Sequence, residues 1–212
     1  EVTCTRVTIG DREFKADNFT ATKWKQSADI MVQDQKRGSV EVHYLVEKPE
    51  SDEGPFLTDE RKLLDSIARM LGTVIEGEDA NEALCESEER NRLLLDSAGE
   101  AIYGLDIHGN CTFANITCLQ LLGYSSEADI RGKNMHGLMH YKWADGTPYP
   151  KEECKIYQAF RCGEGVHVDG EVLWRADGSA FPAEYWSYPI HKEGDILGAV
   201  VVFTDITERK AM

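Results

Sequence analysis

The sequence is short of basic residues, of long apolar runs and of paired cysteines. It has 23 Lys+Arg against 38 Asp+Glu, which gives a formal net charge of −15. Recognition of phosphates depends on clustered Lys and Arg, so this balance argues against nucleic-acid partners and disfavours binding to anionic membranes. The longest apolar run, Ile196 to Phe203, is too short to cross a bilayer, and no Arg/Lys-led signal sequence opens the chain. We therefore expect a cytoplasmic protein without nucleic-acid or membrane contact.

Several chemical signatures are also missing. The six cysteines form no CxxC pair, and the chain is neither small nor secretory in character, so we expect reduced thiols. No Ser/His/Asp arrangement, phospho-acceptor histidine box or phosphate-binding glycine loop is recognisable, and we expect no enzyme activity within this chain. The chain begins at Glu1 without Met, and we interpret it as a piece of a longer protein.

The first 77 residues predict a small antiparallel sheet covered by a helix. Cys4 to Ile9 alternates polar and apolar residues, and Gly10-Asp11 turns the chain into a second short strand. A second hairpin pairs a strand ending near Val32 with one at Val40 to Val46, and we expect its turn at Gln35-Lys36-Arg37-Gly38. Four short strands hide one face only, so they need a cover.

A helical connector is predicted to supply that cover and to run from Thr58 to Ser97. Thr58 is a suitable N-cap. Apolar residues recur at a spacing close to 3.5, which is typical of a helix packed along another helix. They are Leu63, Leu64, Ile67, Ala68, Met70, Leu71, Val74 and Ile75. We expect a homodimer through this connector helix; Gly77 leaves open an alternative of two helices joined by a loop at 76–80.

The remaining residues predict an α+β unit with an antiparallel sheet, in the order ββααααβββ. Pro150 fits the first turn of a helix at Lys151 to Arg161. Three strands close the chain, at Val166–Trp174, Ala180–Pro189 and Ile196–Asp205.

Five local strings in this half stand in an order that resembles the PAS family of sensory domains over residues 88–210. They are Ser87-Glu88-Glu89-Arg90 before a leucine triplet, Asp106-Ile107-His108-Gly109-Asn110, Asn115 with Leu121-Leu122-Gly123-Tyr124, Trp174-Arg175-Ala176-Asp177-Gly178-Ser179 and Asp205-Ile206-Thr207-Glu208-Arg209-Lys210. The resemblance implies a five-stranded antiparallel sheet with flanking helices.

The N-terminal part resembles a piece of another sensory family. Gly38 to Tyr44 and Phe56 to Ala68 are similar to the last strand and closing helix of GAF domains. We therefore expect a reduced, half-sized GAF-like module at 1–77, a helical connector at 78–97 and a PAS-like sensor at 98–212, joined as in bacterial sensor histidine kinases.

The PAS resemblance implies that the chain binds a small ligand or partner. It would relay the resulting conformational bias through helices to a covalently linked output domain downstream, such as a histidine kinase or a diguanylate cyclase. The alternative is a constitutive dimerisation scaffold whose PAS core is filled by side chains and holds no ligand.

Candidate cofactor-binding residues are two histidines and several aromatic or apolar side chains. They are His136, His140, Trp143, Ile156, Phe160, Trp174 and Trp186. The two histidines stand where haem-binding relatives place their axial ligand, and neutral imidazole is a good iron ligand. The aromatics are of the kind that line flavin sites in other relatives. Both cofactors stay open, and we favour neither over an empty core.

Two further groups of residues are candidates for a functional role. His136, His140 and Cys154 have the ligand types of a zinc site, but the sequence names no fourth ligand and we expect no metal site. The loop from Trp143 to Pro150 either closes over a pocket or plugs the core with its aromatics.

Acidic residues on the closing strands invite comparison with a catalytic carboxylate pair. Glu171 and Arg175 share a strand face by alternation, with Glu184 on the next strand. We therefore expect a structural cross-strand salt bridge among these three residues.

Overall fold

The computed structural model describes residues 2–212, apart from the side chain of Phe160. The described strands and helices are β1 (Thr3–Ile9), β2 (Arg12–Lys15), β3 (Lys25–Val32), β4 (Gln35–Tyr44), α1 (Thr58–Asp96), β5 (Ala101–Asp106), β6 (Cys111–Ala114), α2 (Ile116–Leu122), α3 (Met135–Met139), α4 (Lys155–Cys162), β7 (Val166–Trp174), β8 (Ala180–Lys192), β9 (Asp195–Asp205) and α5 (Thr207–Ala211). Short 3-10 turns lie at Glu127–Asp129 and Lys151–Glu153. The chain divides into two compact units, Glu1–Ser87 and Glu88–Met212.

In the first unit, the strands form an antiparallel sheet in the order β2-β1-β4-β3. The hairpin of β1 and β2 is confirmed, but the turn of the second hairpin is misplaced in the prediction. It lies at Gln33-Asp34, and Gln35 already belongs to β4. Both turn residues have positive φ, 47° and 61°, which is the conformation of a two-residue turn whose twist matches the strands. Gln33 is not a residue type that favours positive φ, so no local pattern indicates the turn at this position.

Helix α1 is continuous over 39 residues, which confirms the single-helix interpretation. Its buried side chains Leu64, Ala68 and Ile75 pack in one core with the apolar residues of β3 and β4. Gly72 lets helix and strand approach closely, because a Cβ at this position would lie 2.3 Å from the carbonyl oxygen of Met31. The described part of the chain has no helix with the length and apolar character that a membrane span requires.

In the second unit, the sheet is antiparallel in the order β6-β5-β9-β8-β7, which confirms the α+β prediction for this half. Helix α2 packs on β5 and α4 packs on β8 and β9. The core is continuous, and its largest buried side chains include Tyr103, Leu122, Tyr185 and Phe203.

A bulge in β7 overturns the salt bridge expected for Glu171. The extra residue is Gly170, with φ 91°, and the register shifts between Asp169 and Glu171. Since a single inserted residue reverses the alternation, Glu171 points toward the same side as the buried Leu173, away from the exposed face. Arg175 pairs instead with Asp205, at 2.8 Å.

The helix predicted from Lys151 to Arg161 is split in two. The 3-10 turn ends at Glu153, and α4 begins at Lys155. Between them Cys154 has extended backbone angles, φ −63° and ψ 117°, which no helix tolerates in its interior. The break leaves the Cys154 side chain in the core, where it is 2% exposed.

Candidate functional site

A row of charged and titratable side chains runs from the core of the second unit to its surface, where Lys155 is exposed. The Sγ of Cys154 lies 3.3 Å from Nδ1 of His140. The other ring nitrogen of His140, Nε2, lies 3.0 Å from Oε2 of Glu171, and Nζ of Lys155 lies 3.0 Å from Oε1 of the same carboxylate. We call these four side chains the Cys154–Lys155 row. Along the row, groups that can carry a negative charge, Cys154 and Glu171, therefore alternate with groups that can carry a positive charge, His140 and Lys155.

Three members of the Cys154–Lys155 row are positioned by local irregularities. His140 is the residue that ends α3, Cys154 occupies the break before α4, and Glu171 follows the Gly170 bulge. Regular helices and strands would have carried these side chains past one another. Backbone interruptions that re-aim side chains in this way are frequent next to functional sites.

The contacts in the row shift the pKa of each neighbour. Burial by itself would raise the pKa of Cys154, but His136 and His140 outweigh it and lower the pKa to about 6. Burial would lower the pKa of His140, but Cys154 and Glu171 raise it to about 9. Burial would raise the pKa of Glu171, but His140, Tyr185 and Lys155 lower it to about 2. These shifts all favour the charged form of each group, so they favour a thiolate, an imidazolium and a carboxylate in sequence along the row.

His136 stands beside this row with one nitrogen in use. Its Nε2 lies 2.9 Å from the carbonyl oxygen of Tyr149. Because a carbonyl only accepts hydrogen bonds, Nε2 carries the ring proton and Nδ1 is left with a lone pair. That Nδ1 is buried and has no hydrogen-bond partner among the described residues. One ring nitrogen of each histidine and the Cys154 sulfur all lie within 4.8 Å of one another.

A small cavity adjoins these three side chains. Its volume is about 20 Å³, and its lining includes His136, His140, Cys154 and Ile156 with the buried Met135 and Met139. That volume is room for about one water molecule, since a water needs roughly 10–15 Å³ on this measure. Organic ligands occupy pockets on the order of 300–1,000 Å³, so haem and flavin exceed this cavity in the conformation described.

A second depression also borders His140. Its volume is about 150 Å³, and it is lined by Trp143, Tyr149 and Glu171 among others. The Trp143 ring stacks on Tyr149 at 3.7 Å between centroids, and Tyr149 is buried. The loop from Trp143 to Pro150 thus inserts one aromatic into the core and keeps the other at the surface.

The sequence profile of the PAS domain matches residues 99–208, just over half of the chain. The chain belongs to the PAS domain family. This makes the second unit a sensory domain of a signalling protein and confirms the PAS resemblance read from the sequence.

Several known proteins are similar to this chain in sequence or in structure. A probable diguanylate cyclase, DgcE of Escherichia coli strain K12, is 29% identical over 150 residues, which are 69% of this chain and 13% of that protein. The chain thus spans about an eighth of this curated relative. The PAS domain of an HTR-like protein from Haloarcula marismortui matches with a TM-score of 0.48 and 19% identity, over 61% of this chain and 99% of that one. The DhaR(N)–DhaL complex of E. coli matches with a TM-score of 0.56 and 14% identity, over 85% of this chain and 54% of that one.

The PAS fold gathers some of the predicted cofactor residues and separates others. His136, His140 and Ile156 line the small cavity, and Trp143 with His140 lines the second depression. Phe160 belongs to α4, but its side chain lies outside the described residues.

The two remaining tryptophans lie elsewhere in the PAS domain. Trp186 stacks on His167 at 4.6 Å, and the Nε1 of Trp174 donates to the carbonyl of Lys142 at 3.0 Å. Neither contributes to the small cavity, because each neighbours a strand residue, Tyr185 or Leu173, that occupies the core side.

Two motifs that carried the PAS resemblance hold the ends of the domain. The buried Asn115 side chain accepts from the backbone N–H groups of Ile102 and Cys118 and donates to the carbonyls of Leu95 and Glu100, each at 2.9 Å. It thereby ties the last turn of α1 to the PAS core. At the other end, the Nε of Arg175 donates to the carbonyl of Leu121 while its Nη2 pairs with Asp205. The carboxylate of Asp205 in turn accepts from the backbone N–H of Thr207, the first residue of α5.

Sequence reasoning missed the role of Glu171. It assigned that residue to a surface ion pair because it counted β7 as a regular strand. The one available signal was Gly170, since an isolated glycine inside a strand pattern indicates a bulge.

Proposed function

We propose that this chain is the input of a larger signalling protein. In this proposal the PAS domain takes up a small ligand beside His136, His140 and Cys154, and it relays binding to a covalently linked output domain, a histidine kinase or a diguanylate cyclase. The similarity to DgcE, a probable diguanylate cyclase, supports an output of the second kind.

The observation that carries the proposal is the Cys154–Lys155 row, in which Cys154 and His140 are buried, next to a cavity. Removing charges from water is costly, so a core with a purely structural role is better served by apolar side chains. Clusters of strongly shifted pKa values in a concave site are typical of places where proteins bind or transform something. The unpartnered Nδ1 of His136 adds a free lone pair at the same place.

A route from this site to the output is available through the sheet. Glu171 lies on β7, which pairs with β8, and β8 pairs with β9 along its length. Strand β9 ends at Asp205, which Arg175 holds in place before α5 begins. A ligand that favours one arrangement of the row therefore has a continuous set of hydrogen-bonded strands through which to bias the tail.

Native mass spectrometry and hydrogen exchange of the purified chain test both parts. We expect a non-covalent adduct on the wild type that a Cys154→Ser variant lacks, and slower exchange at residues 205–211 when the adduct is present. A Cys162→Ser variant, which alters an exposed thiol at the end of the same helix, is the matched control. If none of the three proteins carries an adduct and hydrogen exchange is unchanged on addition of candidate ligands, the proposal is refuted.

The small size of the cavity favours a second candidate, a constitutive dimerisation scaffold with a filled PAS core. About 20 Å³ leaves no room for an organic ligand without movement of side chains. In that case the row contributes only to the fold, and replacing Cys154 changes stability without removing any adduct.

Both candidates share one partner, a second copy of the chain packed against α1. Leu63, Ile67, Met70 and Val74 are exposed on that helix at alternating intervals of four and three residues. This is the spacing of a coiled-coil seam, and it lies beside the stripe that packs on the sheet.

Sedimentation velocity at micromolar concentration checks the dimer. We expect the wild type to be dimeric and Met70→Glu to shift it toward monomer, because the carboxylate would be buried in the seam. Thr73→Glu introduces the same charge on an exposed neighbour of the same helix and should leave the dimer intact. A monomeric wild type contradicts this part of the proposal.

The first unit keeps the sequence-based interpretation as a reduced GAF-like module. Its order of four antiparallel strands followed by a covering helix is compatible with that family's closing strand and helix. We assign it a covering and dimer-supporting role, and we assign the ligand site to the PAS domain.

A further inference from the structure

The sequence predicts no metal site, whereas the fold brings three metal-ligand types to one point. Cys154 and His140 are each 2% exposed, and the Nδ1 of His136 is buried beside them. Their donor atoms lie within 4.8 Å of one another, and Sγ and the Nδ1 of His140 are 3.3 Å apart. For zinc–nitrogen bonds of about 2.0–2.1 Å and a zinc–sulfur bond of about 2.3 Å, tetrahedral ligands are separated by about 3.4–3.6 Å. The widest pair therefore has to close by only about 1 Å.

The contacts around both histidines occupy Nε2 and leave Nδ1 as the nitrogen that can ligate a metal. His136 uses Nε2 toward the carbonyl of Tyr149, and His140 directs Nε2 to the carboxylate of Glu171. In metal sites a ligating histidine almost always gives its second N–H to a carbonyl or a carboxylate, which fixes the ring and strengthens the ligand. Here both second partners are in place, and both remaining nitrogens are Nδ1.

The adjoining cavity supplies the fourth position. Its volume of about 20 Å³ lies against the same three side chains. One water molecule fills such a space, and three protein ligands plus one water is the arrangement of an open zinc site. One thiolate with two imidazoles is a donor set of intermediate softness, which suits Zn²⁺ better than Mg²⁺, Ca²⁺ or an iron–sulfur cluster.

We propose that His136, His140 and Cys154 bind a single zinc ion whose fourth ligand is exchangeable, so that the PAS domain senses zinc or a small molecule that coordinates to it. This rests on the proposed function and names the ligand class of that site. Glu171 is a positioning residue in this site, because it acts on the ion through His140.

Metal content and competition with a chromogenic chelator test the site on the full chain. After removal of metal with EDTA and reloading with ZnCl₂, we expect one zinc ion per chain. Cys154→Ser and His136→Ala should each weaken binding by about 100-fold or more, and Glu171→Gln by about 10–100-fold, as is usual for partners of metal-bound histidines. Cys162→Ser and His167→Ala alter exposed residues of the same types outside the cluster and should bind as the wild type does.

Cobalt reports the ligands directly and does not depend on the fold of a variant. The Co²⁺-loaded wild type should show a thiolate-to-cobalt charge-transfer band and the intense visible bands of tetrahedral cobalt. Less than one zinc ion per chain, equal affinity in the ligand variants, or a cobalt spectrum without the thiolate band overturns the proposal. Preferential retention of copper in a mixed-metal competition overturns the choice of zinc.

The outcomes separate this inference from the proposed function. If an organic molecule occupies the cavity and zinc does not bind, the proposed zinc site is refuted and the proposed ligand-sensing function is retained. If zinc binds with the expected ligands but hydrogen exchange at residues 205–211 is unchanged, the zinc site is confirmed and the proposed transmission of binding to the output domain is refuted.

Discussion

Replacing Asn115 with alanine should loosen the attachment of α1 to the PAS core. The side chain is 1% exposed and makes four hydrogen bonds to backbone groups, at Ile102, Cys118, Leu95 and Glu100. One of them caps α2, and loss of such a cap costs about 0.5–2 kcal/mol. Each further buried backbone group left without a partner costs about 1–3 kcal/mol unless water reaches it.

Together these losses predict a destabilisation of about 4 kcal/mol, a large part of the roughly 5–15 kcal/mol that stabilises a domain of this kind. Tryptophan fluorescence during urea unfolding suits the measurement, because Trp143, Trp174 and Trp186 all belong to the PAS unit. A Trp24→Phe background removes the remaining tryptophan, which lies in the first unit. Hydrogen exchange should also accelerate at residues 93–98, where the Ser97 N–H bonds back to Leu93.

Asn134→Ala is the matched control for this prediction. Asn134 also caps a helix, but it is less buried, and its side chain makes a 3.3 Å contact to Gly137 N–H and a 3.0 Å bond to the carbonyl of His108. We expect a cost of about 1 kcal/mol there. If Asn115→Ala is no more destabilising than Asn134→Ala, the assignment of Asn115 as the joint between α1 and the core is refuted.

The remaining predictions concern other positions, each within one of the two units. Gly77→Ala should stabilise α1 by about 1 kcal/mol in thermal unfolding followed by helical circular dichroism, since nothing lies near the added methyl group. Gly72→Ala should destabilise α1, because its methyl group would lie 2.3 Å from a strand carbonyl oxygen. A gain in stability in both variants would contradict the packing of α1 on the sheet. Burial would raise the pKa of Asp106, but hydrogen bonds from Asn110 and His108 lower it below its unfolded value of about 3.9. Its carboxylate therefore stabilises the fold above that pH, and the stability difference between wild type and Asp106→Asn should shrink as pH falls below about 4; a difference that is constant with pH argues against it. Arg175→Ala should cost about 2 kcal/mol and expose the C-terminal tail to proteolysis, while Arg131→Ala, which removes an exposed pair at 3.7 Å, should change little.

The parts of the fold that the sequence predicted are those governed by local rules. Alternation located β1, β7 and β9 within one residue, and the acidic first turn that follows Thr58 located the start of α1. The N-cap assignment was wrong, because Thr58 is the first helical residue and its hydroxyl donates to Asp52. The turn at Gln33-Asp34 was misplaced because both residues adopt positive φ without being glycine, and no local rule selects them. The break at Cys154 was missed for a related reason, since the residues around it, Lys151 to Arg161, are compatible with a continuous helix.

For the candidate site, the sequence predicted only some of the residues and not their arrangement in space. The spacing of His136 and His140 singled out both histidines, and Cys154 was recognised as a possible ligand by type. Their convergence depends on the tertiary contacts of α3 with the start of α4, and the contribution of Glu171 depends on a strand bulge. Trp174 and Trp186 were included because aromatic content does not tell which face of a strand a side chain occupies.

The Gly170 bulge makes the site sensitive to strand register as well as to residue type. If β7 ran as a regular strand through Gly170, strict alternation would carry Glu171 to the outer surface, with no change to any side chain of the site. His140 would then keep its thiol neighbour but lose its carboxylate. Among homologous PAS domains, a glutamate paired with the core-facing residue of the next strand, as Glu171 is with Ala183, is therefore a better marker for a comparable site than the glutamate alone.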